Sequence, residues 1–201
     1  SMYFDGTDFI DVPFDSALNV SGNASWNMWV NWEDITKIHC LASRYDSGQV
    51  SWYIQKPTLQ NIEFGIGAGY NLWPISGFSG VVGEWFNLCF IYDGSQSGSD
   101  KIKLYVNGNL QTLGSTAGTI PATVPSTSSK MRIGEFSNPL SREFNGNMSN
   151  FSLFNKTLSE NEILTIYNGG APNDISSLSP VGWWSLSGDS YFASNWICPD
   201  L

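Results

Sequence analysis

The sequence predicts an all-β fold: two antiparallel sheets packed face to face, with one short helix near the C-terminal end. Three observations carry this. Short runs alternate apolar and polar residues with a period of two, separated by clusters of Gly, Asn, Asp and Ser, the pattern of half-buried strands. Helical periodicity is confined to a single segment. Charged residues make up only 13% of the 201 residues, against the roughly 25% usual in soluble domains, while hydrophobic residues reach 41% and include nine Trp. Such a chain has the apolar area for one sizeable core and lacks the composition of a disordered one.

Each element follows in order. Residues 9–12 read as a first strand. Residues 26–32 alternate, with Trp26, Met28, Val30 and Trp32 on one face and Asn27, Trp29 and Asn31 on the other. Residues 37–44 and 51–56 form a hairpin around Asp46-Ser47-Gly48, and 61–66 is a strand running into a glycine-rich loop, 67–80. The segment 83–94 is the central strand: Phe86, Leu88, Phe90 and Tyr92 face the core, and Trp85, Asn87, Cys89 and Ile91 face away. Residues 101–106 lead into Asn107-Gly108, a pair suited to the two positive-φ positions of a type I′ turn, and 110–113 return from it. Residues 114–130 are rich in Ser, Thr, Pro and Gly. They read as a long surface loop, because Pro121 and Pro125 would each interrupt a ladder. Residues 131–136 and 144–154 resume strand character. Helix is predicted for 158–167, capped by Ser159 with Glu162 three residues on and stopped by Gly169-Gly170. A polar linker, 171–180, precedes a last strand, 181–186. Strands with one apolar face need a second sheet to cover them.

Composition also excludes partners. The net charge of −9 is opposite to that of nucleic-acid binders. The longest apolar stretch, 88–92, is far short of the ~20 residues of a membrane span. Three cysteines, Cys40, Cys89 and Cys198, cannot all pair with one another, and with a single His no zinc pattern is available. They read as reduced and buried.

The order of short motifs carries a resemblance. Tyr3-Phe4-Asp5-Gly6, Gly83-Glu84-Trp85, Leu104-Tyr105-Val106-Asn107-Gly108, Arg132-Ile133-Gly134 with Phe144-Asn145-Gly146, and Phe154-Asn155 through Glu162-Ile163 follow one another as in laminin-G-like domains. The chain is similar to that family of concanavalin A-like jelly rolls. The resemblance implies a jelly-roll domain over residues 1–170. Residues 171–201 then form a linker and an extra strand, which either completes this sandwich or opens a next repeat. The Gly182-Trp183-Trp184 tail resembles segments of marine bacteriophage structural proteins, which implies a virion or tail-associated adhesion domain, on a virion surface or extracellular. Some relatives hold a structural calcium. Here Asp5 and Asn150 stand where ligands would be, but Asn is a neutral, poorer oxygen donor, so no cofactor is expected.

The same superfamily contains glucanases and lyases. A retaining glycosidase needs two carboxylates about 5–5.5 Å apart, and no Glu-x-Asp-x-x-Glu strand occurs. His39, the lone imidazole, lacks the neighbours of a lyase site. The chain therefore reads as non-enzymatic, a binding or structural domain whose partners are glycans or neighbouring protein subunits. The alternative is a carbohydrate-binding module of a secreted polysaccharide-degrading enzyme, with a divergent lyase or glucanase behind it. Sugar recognition needs aromatic faces for C–H stacking, with amides and hydroxyls for the sugar hydroxyls. The 67–80 loop offers Tyr70, Asn71, Trp73 and Phe78, and Trp29, Trp52 and Tyr53 on strands extend the candidate platform.

Overall fold

Two antiparallel seven-stranded sheets face each other across a shared core. The computed structural model describes residues 1–46, 49–58, 61–74, 82–137 and 141–187, with the backbone of 191–192 and 196–197. Sheet A comprises β1 (Met2–Asp5), β3 (Asn23–Trp32), β8 (Phe86–Asp93), β9 (Ile102–Val106), β10 (Asn109–Leu110), β13 (Asn145–Phe154) and β14 (Gly182–Trp184). Sheet B comprises β2 (Ile10–Val12), β4 (His39–Asp46), β5 (Gln49–Thr58), β6 (Asn61–Ile66), β7 (Gly69–Pro74), β11 (Ser115–Ala117) and β12 (Met131–Ile133), in the order β11-β7-β6-β5-β4-β12-β2. A small hairpin of β15 (Tyr191–Phe192) and β16 (Trp196–Ile197) follows. The expected all-β sandwich with one short C-terminal helix is the observed architecture.

The core is where the period-two alternation puts it. Trp26, Met28, Val30 and Trp32 of β3 and Phe86, Leu88, Phe90 and Tyr92 of β8 face Trp52, Ile54, Ile62, Phe64 and Trp73 of sheet B. Rings lock the sheets together edge to face: Trp26 on Trp52 at 5.4 Å and on Phe64 at 4.8 Å, and Phe64 on Phe90 at 5.1 Å. Such pairs add about 0.5–1.5 kcal/mol each beyond their burial. Asn107 and Gly108 both have positive φ, 49° and 77°, as the predicted turn requires.

Two expectations are corrected. Residues 69–74 are not loop but β7, paired along its length with β6. The 114–130 segment contributes β11 and sinks Ile120 and Val124 into the core. The face of β8 turned away from the main core has a core of its own: Cys89, buried as expected, and Ile91 join Tyr105 and Phe154 in a second cluster under α1 (Glu160–Tyr167). Ile163 and Ile166 of that helix, with Ile175 and Trp183, complete the cluster. Cys40 and Cys89 are buried and free; Cys198 lies outside the described residues.

Two buried cations pin loops to sheet B. Arg44 donates to the carbonyls of Leu18 (2.8 Å), Thr127 (3.1 Å) and Ser129 (3.1 Å). Lys56 donates to those of Ile35 (2.6 Å) and Lys37 (2.8 Å). Satisfying several carbonyls at once is what makes burial of each charge tolerable.

Candidate functional site

Sheet A is covered twice, by sheet B inside and by α1 and the 175–183 segment outside. The outer face of sheet B carries no helix among the described residues. Alternation aims every second side chain of its strands outward, and the register aligns seven of them in one row, one per strand. The row runs Asp11, Arg132, Ser43, Tyr53, Gly65, Tyr70, Ala117. With strands about 4.8 Å apart, the stretch from Asp11 to Tyr70 spans about 24 Å.

Gly65 decides how this row is shaped. A Cβ there would lie 2.3 Å from ring atoms of Tyr53, so the tyrosine lies across the glycine because it has no side chain. Tyr53 and Tyr70, both half-buried, are the register neighbours of Gly65 on either side, and the Tyr53 ring covers the buried glycine. In the next row Gln55 Nε2 donates to Glu63 Oε1 at 2.8 Å, and Arg142 Nη1 donates to Gln55 Oε1 at 2.7 Å. Burial, followed by its hydrogen bond to Glu63, pushes the Tyr53 phenol well up, so it remains a protonated donor. Phe136 packs on Tyr53 at 5.5 Å, and the Arg142 guanidinium lies 5.5 Å from the Phe136 ring.

At the other end of the row Arg132 donates to Asp11 (2.7 Å) and pairs with Glu135. Its guanidinium lies 3.8 Å from the centroid of Phe9, a ring 37% exposed. Burial raises the Glu135 carboxyl, against the pull of Arg132. Burial also opposes ionisation of Asp11, but hydrogen bonds from Arg132 and Lys130 hold its carboxyl below the ordinary value.

Of the residues singled out in the sequence, the fold brings Tyr53 and Tyr70 together. Trp52 and Trp73 go to the core, on Trp26 and on Phe90. The reason is parity: with 69–74 a strand, Trp73 and Asn71 share the inward face and Tyr70 the outward one. Asn71 is fully buried, donating to the carbonyls of Ser99 (2.9 Å) and Ile102 (3.2 Å) and accepting from Thr116 (2.7 Å). Trp29 belongs to sheet A and stacks on Tyr167 at 6.0 Å. Phe78 lies outside the described residues. Gln55, Glu63, Arg142 and Phe9 escaped the sequence reading. For Gln55 a signal existed, since it alternates with the core residues Ile54 and Trp52.

The calcium ligands implied by the resemblance do not converge. Asp5 pairs with Asn145, and Asn150 lies five residues further along β13, roughly 15 Å away at strand rise. Asp5 Oδ1 accepts from the backbone and hydroxyl of Thr7, and Asn150 Oδ1 accepts from Trp183 Nε1. These residues do not fit a shared ion.

Residues 4–164 match the Laminin_G_3 family, concanavalin A-like lectin/glucanases superfamily. Among solved structures, a candidate carbohydrate-binding protein of Bacteroides ovatus is similar at a TM-score of 0.68 and 15% identity, over 96% of this chain and 52% of that one. This chain thus spans about half its length. A heptameric SAP-like pentraxin of Limulus polyphemus matches at 0.59 and 15%, over 85% and 83%. Domain 4 of AbnA, an extracellular arabinanase of Geobacillus stearothermophilus solved with arabinotriose, matches at 0.56 and 16%, over 82% and 75%. No curated protein matches the chain. With four-fifths of its length matched by the family and a two-sheet sandwich for its fold, the chain belongs to the concanavalin A-like lectin/glucanases superfamily.

Proposed function

We propose that this protein is a non-catalytic glycan-binding module that takes an extended sugar chain across the outer face of sheet B. The observation that carries this is the Tyr53–Gly65–Tyr70 row: two half-buried tyrosines, one laid over the glycine, with Gln55, Glu63 and Arg142 beside them. Ring faces stack on the C–H faces of pyranoses or furanoses, while the amide, carboxylate and guanidinium bond the hydroxyls. Apolar walls with a few placed polar groups are the usual make-up of small-ligand sites. Neighbours that are described as carbohydrate-binding, or solved with arabinotriose, support the sugar class. A binding rather than hydrolytic role is supported by the setting of Glu63, which is engaged by Gln55 and Tyr53, whereas glycosidic cleavage needs a pair of carboxylates. In this reading the module works extracellularly, and the phage-like tail motif makes a virion surface its setting.

A glycan array probed with the wild type and with Tyr70→Ala tests the proposal. The wild type is expected to retain a defined set of glycans, and the variant to lose at least about tenfold in affinity, the effect of about 1.4 kcal/mol. An array on which the wild type retains nothing, or on which both proteins behave alike, contradicts it.

A further inference from the structure

The outer cover on sheet A is partial. α1 and the 175–183 segment pack over Cys89, Ile91, Tyr105 and Phe154, and the cover ends where Tyr167 stacks on Trp29. Beyond it, where β1 joins β13, the register sets outward residues of neighbouring strands side by side. Tyr3 lies against Asn147, and Asn147 against Asn31. Carrying the β3–β8 ladder one step past the Val30–Phe86 pair brings Trp85 beside Asn31. The row is thus Tyr3, Asn147, Asn31, Trp85, and at strand spacing its ends stand about 14 Å apart.

Both ends of this row are exposed rings, Tyr3 at 48% and Trp85 at 39%. Tyr and Trp are the side chains suited to surfaces that are apolar on one side and wet on the other. Two amides lie between them. Asn147 is half-buried and Asn31 is 9% exposed, and neither side chain has a hydrogen-bond partner among the described residues. Tyr3 donates its hydroxyl to Glu33 Oε2 at 3.0 Å, which fixes the ring at the rim. Beside Trp85 a hollow of about 250 Å³ opens between Trp29, Ser149, Gly170 and Pro172. It is smaller than the roughly 300–1,000 Å³ of small-molecule sites and has room for the end of a ligand only.

We propose that this row is a second binding surface, on the opposite side of the sandwich from the tyrosine row, for a neutral oligosaccharide laid from Tyr3 to Trp85. The two rings stack on the C–H faces of sugars at either end. Each amide offers an acceptor and two donors to the hydroxyls between, and the last sugar enters the hollow beside Trp85. All four side chains of the row are uncharged, and Glu33, held against Tyr3, is negative, which disfavours an acidic glycan. An apolar protein partner fits worse, because it would desolvate both amides without giving them hydrogen bonds, a cost that sugar hydroxyls avoid. The surface shares no residue with the tyrosine row and stands whether or not that row binds glycans.

The experiment titrates the ¹⁵N-labelled protein with arabinotriose, cellotriose, chitotriose and trigalacturonate in turn. At least one neutral trisaccharide is expected to move the Trp85 indole and the Asn31 and Asn147 amides saturably. Affinity read from the Asn31 amide should fall about tenfold in Trp85→Ala and in Asn147→Ala, while Tyr70→Ala keeps the response. Tyr3→Ala, at the other exposed end, carries the test if Trp85→Ala fails to fold. The proposal is overturned if no neutral trisaccharide moves these resonances, if the variants bind as the wild type does, or if trigalacturonate alone moves them. Loss of the response in Tyr70→Ala would also overturn it, since the two surfaces would then not be independent. So would shifts that appear on concentrating the protein without sugar and vanish in Trp85→Ala, because the face would then join two copies of the chain.

Discussion

Gly65 holds the Tyr53 ring in place by having no side chain, so the smallest substitution there is informative. Gly65→Ala places a carbon where the ring lies and should tip Tyr53 off the sheet. Sugar affinity is expected to fall by an order of magnitude, with only a small shift in melting temperature, as read by calorimetry of binding and unfolding. Arg44 offers a contrast, a residue of stability alone. Arg44→Met strands three carbonyls and should cost about 3 kcal/mol at one unsatisfied group after another, seen as a lower denaturation midpoint at unchanged m-value. His39 gives a pH dependence. Burial lowers its pKa below 6.5, Lys56 pushes the same way, and the Glu143 and Asp34 carbonyls with the Asp34 carboxylate push back. The unfolded chain therefore binds the proton first. Stability is untouched above pH 6.5 and falls as the pH drops from there toward the folded value. His39→Gln should flatten that part of a stability–pH curve. Residue roles were legible in the sequence only where the parity of a strand was known. Tyr53 and Tyr70 lie on the outward row, whereas Trp73, read as part of a loop platform, is a core residue of β7. Trp73→Ala should therefore lower stability before it affects any ligand.

At the scale of elements, strong local signals were read well and weak ones were not. The helix was legible because its cap is chemical: Ser159 Oγ accepts from the Glu162 backbone, and Glu162 reaches back to the Ser159 backbone at 2.8 Å. Hydrogen bonds from Lys156 and Ser159 hold the Glu162 carboxyl at about 2, so the box persists far into acid. Ser159→Ala is expected to cost about 1 kcal/mol, measurable as a drop in thermal midpoint. Strands β3 and β8 were legible because large apolar residues alternate without interruption. β7 was not, because glycines on either side of it imitate loop composition while its pairing comes from β6. The partner of the outer face of β8 is not written in its own strand. Cys89 and Ile91 are apolar enough for a second core, yet only the docking of α1, fixed by the tertiary fold, shows that they have one.

The whole molecule is a sandwich closed from both ends of the described chain. β3 occupies one edge of β13, and on the other edge β1 pairs with Asn145–Met148 while β14 pairs with Phe151–Leu153. The two run in the same direction, end to end, and the Asn150 amide continues the line by donating to the Ser185 carbonyl at 3.0 Å. β14 brings Trp184 and the following Leu186 into the main core and Trp183 into the second. Trp184→Ala should thus destabilise the entire sandwich, by about 3 kcal/mol as for other buried large-to-small changes, rather than merely fray the tail. Motif order alone leaves the pairing of the 181–186 strand undecided, and which sheet face lacks a helix depends on where α1 docks. The proposed sugar-binding surface is the helix-free outer face of sheet B. Mapping backbone amide shifts during titration with the glycan that the array retains tests it most directly. The predicted result is a contiguous set of shifted amides across Ser43, Tyr53, Gly65 and Tyr70. A map confined to α1 and the Trp85 side of sheet A, with that row unmoved, would contradict it.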